Sequence, residues 1–167
     1  MTVRKFEQAR VWRLGNDVDT DALAPGAFMK HGLDVIARHC LEAVRSEFAA
    51  GVQKGDVIVA GANFGIGSSR EQAAGVLRHL GLAAVIAPSF SGLFFRNAFN
   101  LGLLLLSCPE ADTIEEAERV SLRLDGDMPM VQRANGQALA CAPIPRFLLD
   151  MVDAGGLLPL LQQRPPA

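Results

Sequence analysis

Cysteine is scarce in this chain of 167 residues: Cys40, Cys108 and Cys141 stand far apart. No Cys-x-x-Cys pair occurs, so the usual zinc and iron–sulfur spacings are not signalled. The three thiols read as buried or bystander groups that behave as small hydrophobes. Histidine is as sparse, and His31, His39 and His79 lack metal-ligand spacing. His39 and His79 read as helix-surface or helix-end residues. Long apolar runs are missing as well; the longest aliphatic one, 101–106, is far too short to cross a bilayer. The charged start Met1-Thr2-Val3-Arg4-Lys5 is followed by no apolar stretch, so no secretory signal is expected. Net charge is only −2, and nothing suggests a nucleic-acid or polyanion partner. The expectation is a soluble, cytoplasmic protein without nucleic-acid or membrane partners.

Half of the residues are hydrophobic, enough for a proper core. The length fits one domain over 1–167, with its core at about 11–160. No internal repeat and no low-complexity segment is present.

Several familiar loops are absent. An EF-hand counted from Asp17 would need Gly and Glu where Ala22 and Phe28 stand. Gly65-x-Gly67 continues into Arg70 instead of the third glycine of a dinucleotide fingerprint. No Gly-Lys-Ser/Thr of Walker A follows, and Gly65-Ile66-Gly67-Ser68-Ser69 is out of frame for a nucleophile elbow. What is present is Gly61-Ala62-Asn63-Phe64-Gly65-Ile66-Gly67-Ser68-Ser69-Arg70-Glu71-Gln72. An apolar run at 57–60 leads into it. A helical stripe of Ala73, Val76, Leu77 and Leu80 leads out. Strand, glycine-rich turn, helix is an arrangement that aims backbone N–H groups and the positive helix end at one spot. Ser68 with Glu71, or Ser69 with Gln72, fits a capping box. A helix needs one N-cap, which leaves the other serine free. A cation in a first helical turn opposes the dipole by roughly 0.3–1 kcal/mol, a cost that makes sense if Arg70 meets a carboxylate or phosphate. Anion binding and plain capping are both open readings of this stretch.

Along the chain, 10–15 reads as a strand and 15–21 as a polar loop dense in carboxylates, where Asn and Asp favour turns. Pro25 and Gly26 break the chain before a basic, apolar loop at 27–32. Helices are expected at 33–39 and 41–48, and a strand at 57–60. Gly81 ends the central helix; 82–87 is a buried strand. The strand–helix–strand order implies parallel pairing with a right-handed crossover. Pro88-Ser89 opens a helix at 90–99, and 103–107 is a third buried strand. Then the character changes: a short helix at 113–117, an alternating strand at 120–124, a turn at 125–127, and strands at 130–132 and 138–142 around the hairpin signal Asn135-Gly136. Pro145 opens a last helix at 146–154, stopped by Gly155-Gly156, and 164–167 is expected to fray. The fold class is α/β followed by β-hairpin material.

A serine at a helix N-terminus beside an arginine is more easily deprotonated, because the dipole and the cation favour an alkoxide. It suits removal of a proton from carbon next to a carboxylate that the arginine holds. Arg96 offers a second cation after the next strand, near the sheet edge where ligands of parallel sheets gather; it reads equally as a surface helix arginine. Nothing places a histidine near Ser68 for a hydrolytic triad.

These residues carry a resemblance. The run from Ala60 to Glu71 resembles the signature of the aconitase swivel-domain family, above all its free-standing small subunits of the 3-isopropylmalate dehydratase and homoaconitase-like type. Asp17-Val18-Asp19-Thr20-Asp21 resembles the family's early acidic motif. Ala84-Val85-Ile86-Ala87-x-Ser89-Phe90 and Phe95-Arg96-Asn97-Ala98 resemble its second junction, and 145–158 its C-terminal helix. The resemblance implies a swivelling β/β/α fold and a heteromeric hydro-lyase of leucine biosynthesis type. It assigns a four-iron–four-sulfur cluster to a large partner subunit, with no cofactor on this chain and a small hydroxy-acid as substrate. A homo-oligomer of the isolated chain is open. Ser68 is then the base at the α-carbon, Arg70 the carboxylate ligand, and Ser69 a support through backbone or hydroxyl. Asp21 matches the last acid of the early motif, which leads into a substrate loop at 28–31 with Lys30 and His31. Lys30 stands where relatives carry an arginine and lacks its bidentate fork. Gln72 stands where the family usually has histidine. The competing readings are a non-catalytic module binding carboxylate or phosphate, a dehydratase for homocitrate or a methylated malate, and a self-sufficient hydrolase with Ser68 as nucleophile.

Overall fold

The structure is a computed structural model that describes residues 5–125 and 128–163. Its frame is one seven-stranded sheet in the order β4-β3-β2-β1-β5-β6-β7. The strands are β1 (Lys5–Arg13), β2 (Val57–Val59), β3 (Ala84–Ala87), β4 (Leu105–Ser107), β5 (Arg119–Arg123), β6 (Met130–Gln132) and β7 (Ala138–Ala140). β1 is the pivot, parallel to β2 on one side and antiparallel to β5 on the other. Near Gln8, which has φ 57°, the β1–β5 register shifts, and the long strand bends as it passes from one half to the other.

The two halves follow from residue pattern. Val57-Ile58-Val59 and Ala84-Val85-Ile86-Ala87 are buried at every position, as strands covered on both faces must be. β5 and β7 alternate, with Val120, Leu122 and Leu139 inward and their neighbours outward. β2–β3 and β3–β4 are parallel, so each pair needs a crossover helix. α4 (Gln72–His79) and α5 (Gly92–Asn100) supply them. Before them come α1 (Thr20–Leu23), α2 (Leu33–Arg38) and α3 (Phe48–Gly51), and α2 packs on α4. α6 (Arg146–Ala154) packs on α5 and on α7 (Leu157–Gln163). The sheet curls so that Ala142 N, just past β7, donates to Ser107 O of β4 at 2.9 Å. The chain thus adopts the β/β/α arrangement that the resemblance implies.

Where the elements differ from expectation, backbone torsion and tertiary bonds are the cause. The helix expected at 41–48 is a run of turns, because Leu41 takes φ 62° to donate its N–H to Ala22 O at 2.8 Å. The helix expected at 113–117 is a 3-10 turn at Ala111–Thr113, and Ala117 at φ 62° lies outside helical space. α7 was not expected, since Gly155-Gly156 reads as a stop; Pro159 fits it because it falls in the first turn, where no N–H is needed. The turn expected at 125–127 falls largely, and the fraying expected at 164–167 wholly, outside the described residues.

Cys40, Cys108 and Cys141 are all buried as free thiols. Burial pushes the Cys40 thiol pKa well above its usual range. A second buried feature ties β1 to the turn before β2. Asp56, 5% exposed, accepts from Trp12 Nε1 at 2.9 Å, Gln53 N at 2.9 Å and Arg10 Nη2 at 3.2 Å. The Trp12 ring carries the Arg10 and Arg45 guanidinium carbons, each 4.6 Å from its centroid, and meets Phe48 edge-on at 5.1 Å. Removing the Asp56 carboxylate leaves the buried Trp12 N–H without its acceptor and takes a partner from Gln53 N and from Arg10, which keeps Gly51 O. Asp56→Ala is therefore expected to lower unfolding free energy by about 3 kcal/mol in chemical denaturation; a loss under about 1 kcal/mol contradicts this reading of the network.

Candidate active site

The site is built where the strands β1, β2 and β3 run out. The segment 61–66 continues β2 and is bonded on both flanks. On the β1 side, Gly61 N donates to Gly15 O, Asp17 N to Ala62 O, Gly65 N to Val18 O and Thr20 N to Ile66 O, at 2.7–3.0 Å. On the β3 side, Phe64 N donates to Ser89 O at 3.2 Å, Ser91 N to Phe64 O at 2.9 Å and Asn63 N to Ser89 Oγ at 2.9 Å. Phe64 is buried and meets the Phe94 ring edge-on at 5.3 Å. Gly65 has φ 85°, and a Cβ there would overlap the Phe94 ring, so this position takes glycine only.

Beyond this anchored segment the chain makes an exposed turn, Gly67-Ser68-Ser69, before α4. Neither serine caps the helix: α4 begins at Gln72, its N-cap is Glu71, and no side chain caps it. The capping-box reading is therefore corrected. The turn is held instead by long-range bonds from Arg70 and to Ser69, which draw it away from the helix end. Among the described residues, neither serine hydroxyl makes a hydrogen bond, and the N–H groups of Ser68, Ser69, Arg70 and Glu71 have no protein acceptor.

Arg70 does not point freely into solvent. Its side chain is 23% exposed, and Nη1 donates to Ala24 O at 2.7 Å and to Asp21 Oδ1 at 3.2 Å. Both Nη1 hydrogens are thereby used. The Nε and Nη2 hydrogens have no partner among the described residues, and they form the edge that grips a carboxylate bidentately. Asp21 is placed by α1, whose N-cap Asp19 accepts from Ala22 N at 2.7 Å. The Gly26 N–H at 2.9 Å, and then the Arg70 guanidinium, hold the Asp21 carboxyl below the usual aspartate range.

Arg70 and Asp21 are joined directly, and Ser68 and Ser69 stand in the exposed turn that leads into Arg70. The loop with Lys30 and His31 borders the Arg70–Asp21 pair through Ala24 and Gly26; both side chains are exposed, and Lys30 has no ion pair among the described residues. Phe28 fixes that loop by stacking on His39 at 3.6 Å between centroids. Arg96 lies apart from this group, in a groove of about 310 Å³ between α5 and α6 with Phe95, Phe147 and Met151. Its neighbour Asn97 faces the serine turn instead, donating from Nδ2 to Ser69 O at 3.0 Å. Sequence reading passed over Asn97, although it stands inside the motif that drew attention to Arg96. Gln72 faces a second groove of about 380 Å³ with Leu33, Gly75 and Arg78. Among the described residues no group of three or more His, Cys, Asp or Glu is placed to hold a metal ion, and no helix is long and apolar enough to cross a membrane.

Comparison with known proteins gives a consistent family. The aconitase C-terminal domain model matches residues 39–111, from the end of α2 through the serine turn to just past β4. The chain is 37% identical over 158 residues to 3-isopropylmalate dehydratase small subunit 1 of Thermotoga maritima, covering 93% of this chain and 95% of that protein. It is 42% identical over 153 residues to the methanogen homoaconitase small subunit of Methanothermobacter thermautotrophicus, covering 90% and 88%. The crystal structure of 3-isopropylmalate dehydratase LeuD from Methanocaldococcus jannaschii superposes with a TM-score of 0.88 at 36% identity, covering 96% and 95%.

Because the Asp21 pKa is depressed, its bridge to Arg70 is complete above the usual carboxylate range and is lost as pH falls through the depressed value. Carboxyl NMR titration is expected to give Asp21 a midpoint below that of an ordinary aspartate. In Arg70→Met the midpoint should rise only part of the way, since the Gly26 N–H stays; an ordinary midpoint in the unmutated chain contradicts the geometry.

Proposed function

The chain belongs to the aconitase C-terminal family, among its 3-isopropylmalate dehydratase small subunits, and on that premise we propose that it is the small subunit of a heteromeric hydro-lyase. The enzyme acts with a large partner subunit on a hydroxy-di- or tricarboxylic acid, first of all 3-isopropylmalate. One observation carries this reading: an exposed serine hydroxyl, unbonded among the described residues, two positions before an arginine whose Nε–Nη2 edge has no partner among them either.

The roles follow from charge. Arg70 takes the substrate carboxylate on its free edge, while Asp21 and Ala24 O keep the guanidinium plane from turning. A carboxylate held there acidifies nothing by itself; the guanidinium does, by drawing charge from the adjacent carbon as its proton leaves. Ser68, in alkoxide form, takes that proton. The alkoxide is stabilised by Arg70 and by the free N–H groups that precede α4. Ser69 contributes its N–H to the same opening. Lys30 and His31 meet the far end of the substrate from the bordering loop. A four-iron–four-sulfur cluster, expected on the large subunit, would give Lewis-acid help to the departing hydroxyl; the described residues of this chain are not arranged to hold one. The three free thiols suit a reducing compartment, and we place the enzyme in the cytoplasm.

A second substrate reading has an observation in its favour. The exposed Lys30 ammonium, without an ion pair among the described residues, suits an added carboxylate, as in a homocitrate-type substrate. Lys30→Ala is the discriminating variant: it should raise KM for a tricarboxylate far more than for 3-isopropylmalate.

In the anaerobically assembled pair, Ser68→Ala is expected to lower kcat by about 10²- to 10⁴-fold with assembly unchanged. Arg70→Lys should weaken substrate binding by about tenfold or more, because lysine has no fork. Turnover by Ser68→Ala within about twofold of the unmutated pair contradicts the assignment.

A further inference from the structure

We propose that Asn97 is a positioning residue that locks the peptide between Ser69 and Arg70 in the orientation proton removal needs; the inference rests on the reading of Ser68 and Arg70 given above. Asn97 Nδ2 donates to Ser69 O at 3.0 Å. From Ile66 O, held by Thr20 N at 2.9 Å, to the start of α4, no other element makes a hydrogen bond to the turn's backbone among the described residues. The turn needs such a hold. Gly67 has φ 104°, both serines are exposed, and neither hydroxyl is bonded among the described residues.

The direction of the bond matters. In a trans peptide the C=O and the following N–H point opposite ways, and no cis peptide is present among the described residues. With the Ser69 carbonyl drawn to α5, the Arg70 N–H points away from α5. A flip would release the carbonyl, swing its partial negative charge outward, and turn the Arg70 N–H inward. An oxygen dipole would then face a bound carboxylate and the Ser68 alkoxide, and both would be destabilised. α5 is suited to hold this orientation. Its Phe94, Ala98 and Phe99 are buried, and Phe94 underlies Gly65 at the other end of the loop. One helix therefore touches the glycine-rich loop at two points, the ring of Phe94 at Gly65 and the amide of Asn97 at Ser69. Arg96, one residue earlier, faces the α5–α6 groove and takes no part.

Aspartate is nearly the same shape as asparagine but changes the sign of the contact. In Asn97→Asp the ionised side chain sets a carboxylate oxygen against the Ser69 carbonyl, whereas the protonated form donates to it as the Asn97 amide does. Asn97→Asp in the assembled pair is expected to lose about tenfold or more in kcat at about pH 7.5 and to regain part of it, relative to the unmutated pair, as pH falls toward about 5.5, because the facing Ser69 carbonyl oxygen raises the pKa of the introduced carboxyl above the ordinary aspartate value of about 3.9. Asn97→Ala should lose kcat by about tenfold with little change in KM and without the acid recovery. Backbone ¹⁵N relaxation on the isolated full chain reads the hold without any turnover: Asn97→Ala should lower the order parameters at Ser69, Arg70 and Glu71 while those of strand β2 stay as before. Unchanged order parameters in the turn, or an Asn97→Asp pH profile parallel to that of Asn97→Ala, overturns the proposal and leaves the assignment of Ser68 standing. Loss of that assignment would appear instead as full turnover by Ser68→Ala, with the relaxation result for Asn97 unaffected.

Discussion

Segment 61–66 has backbone partners on both flanks, the continuation of β1 on one and of β3 on the other, and everything proposed for the serine turn depends on that double pairing. The parallel strands end at β2 and β3, yet their hydrogen bonding continues for several more residues as loops. A loop paired in this way has the rigidity of a strand without its uniform twist. It delivers Ser68 to the carboxyl edge of the sheet at a fixed height. Gly65 makes the geometry possible, because the segment must pass against the Phe94 ring where no Cβ fits. The packing of α5 and the path of the loop are therefore a single constraint.

Onto that scaffold the chain sets a division of labour inside one guanidinium. Nη1 is committed to Ala24 O and Asp21, and the opposite edge is left for a ligand. A freely rotating arginine would lose side-chain entropy on binding; here that loss is already taken in folding. Asp21 is exposed enough that its bridge to Arg70 orients more than it stabilises. In the proposed reading this chain supplies a base and a carboxylate grip on an open surface. That arrangement agrees with relatives named as dehydratase and homoaconitase small subunits, a name that implies a larger partner subunit.

Much of this was legible in the residues. β2, β3 and β4 are apolar almost throughout, and such runs bounded by turns read directly as buried strands. The Asn135-Gly136 hairpin and the bounds of α6 follow from turn and stop signals. Leu41 and Ala117 did not announce their positive φ, because those torsions are set by partners far along the chain, such as Ala22 for Leu41. The capping box at Ser68 and Ser69 matched a local pattern that the fold does not use; bonds from Asn97 to Ser69 and from Arg70 to Ala24 decide the turn instead. Asn97 and Arg96 are adjacent in sequence but about 100° apart on a helix, so only the phase of α5 tells which of them meets the serine turn.

In the proposed enzyme, Ser68 and the open Nε–Nη2 edge of Arg70 act on one substrate molecule. A crystal structure of the assembled pair with a hydroxy-diacid bound tests it most directly. One substrate carboxylate should be bridged by Nε and Nη2, with Nη1 still on Ala24 and Asp21 and Ser68 Oγ against the carbon beside that carboxylate. A substrate seated elsewhere, or a carboxylate on Arg70 with Ser68 turned away from the carbon it should deprotonate, would contradict it.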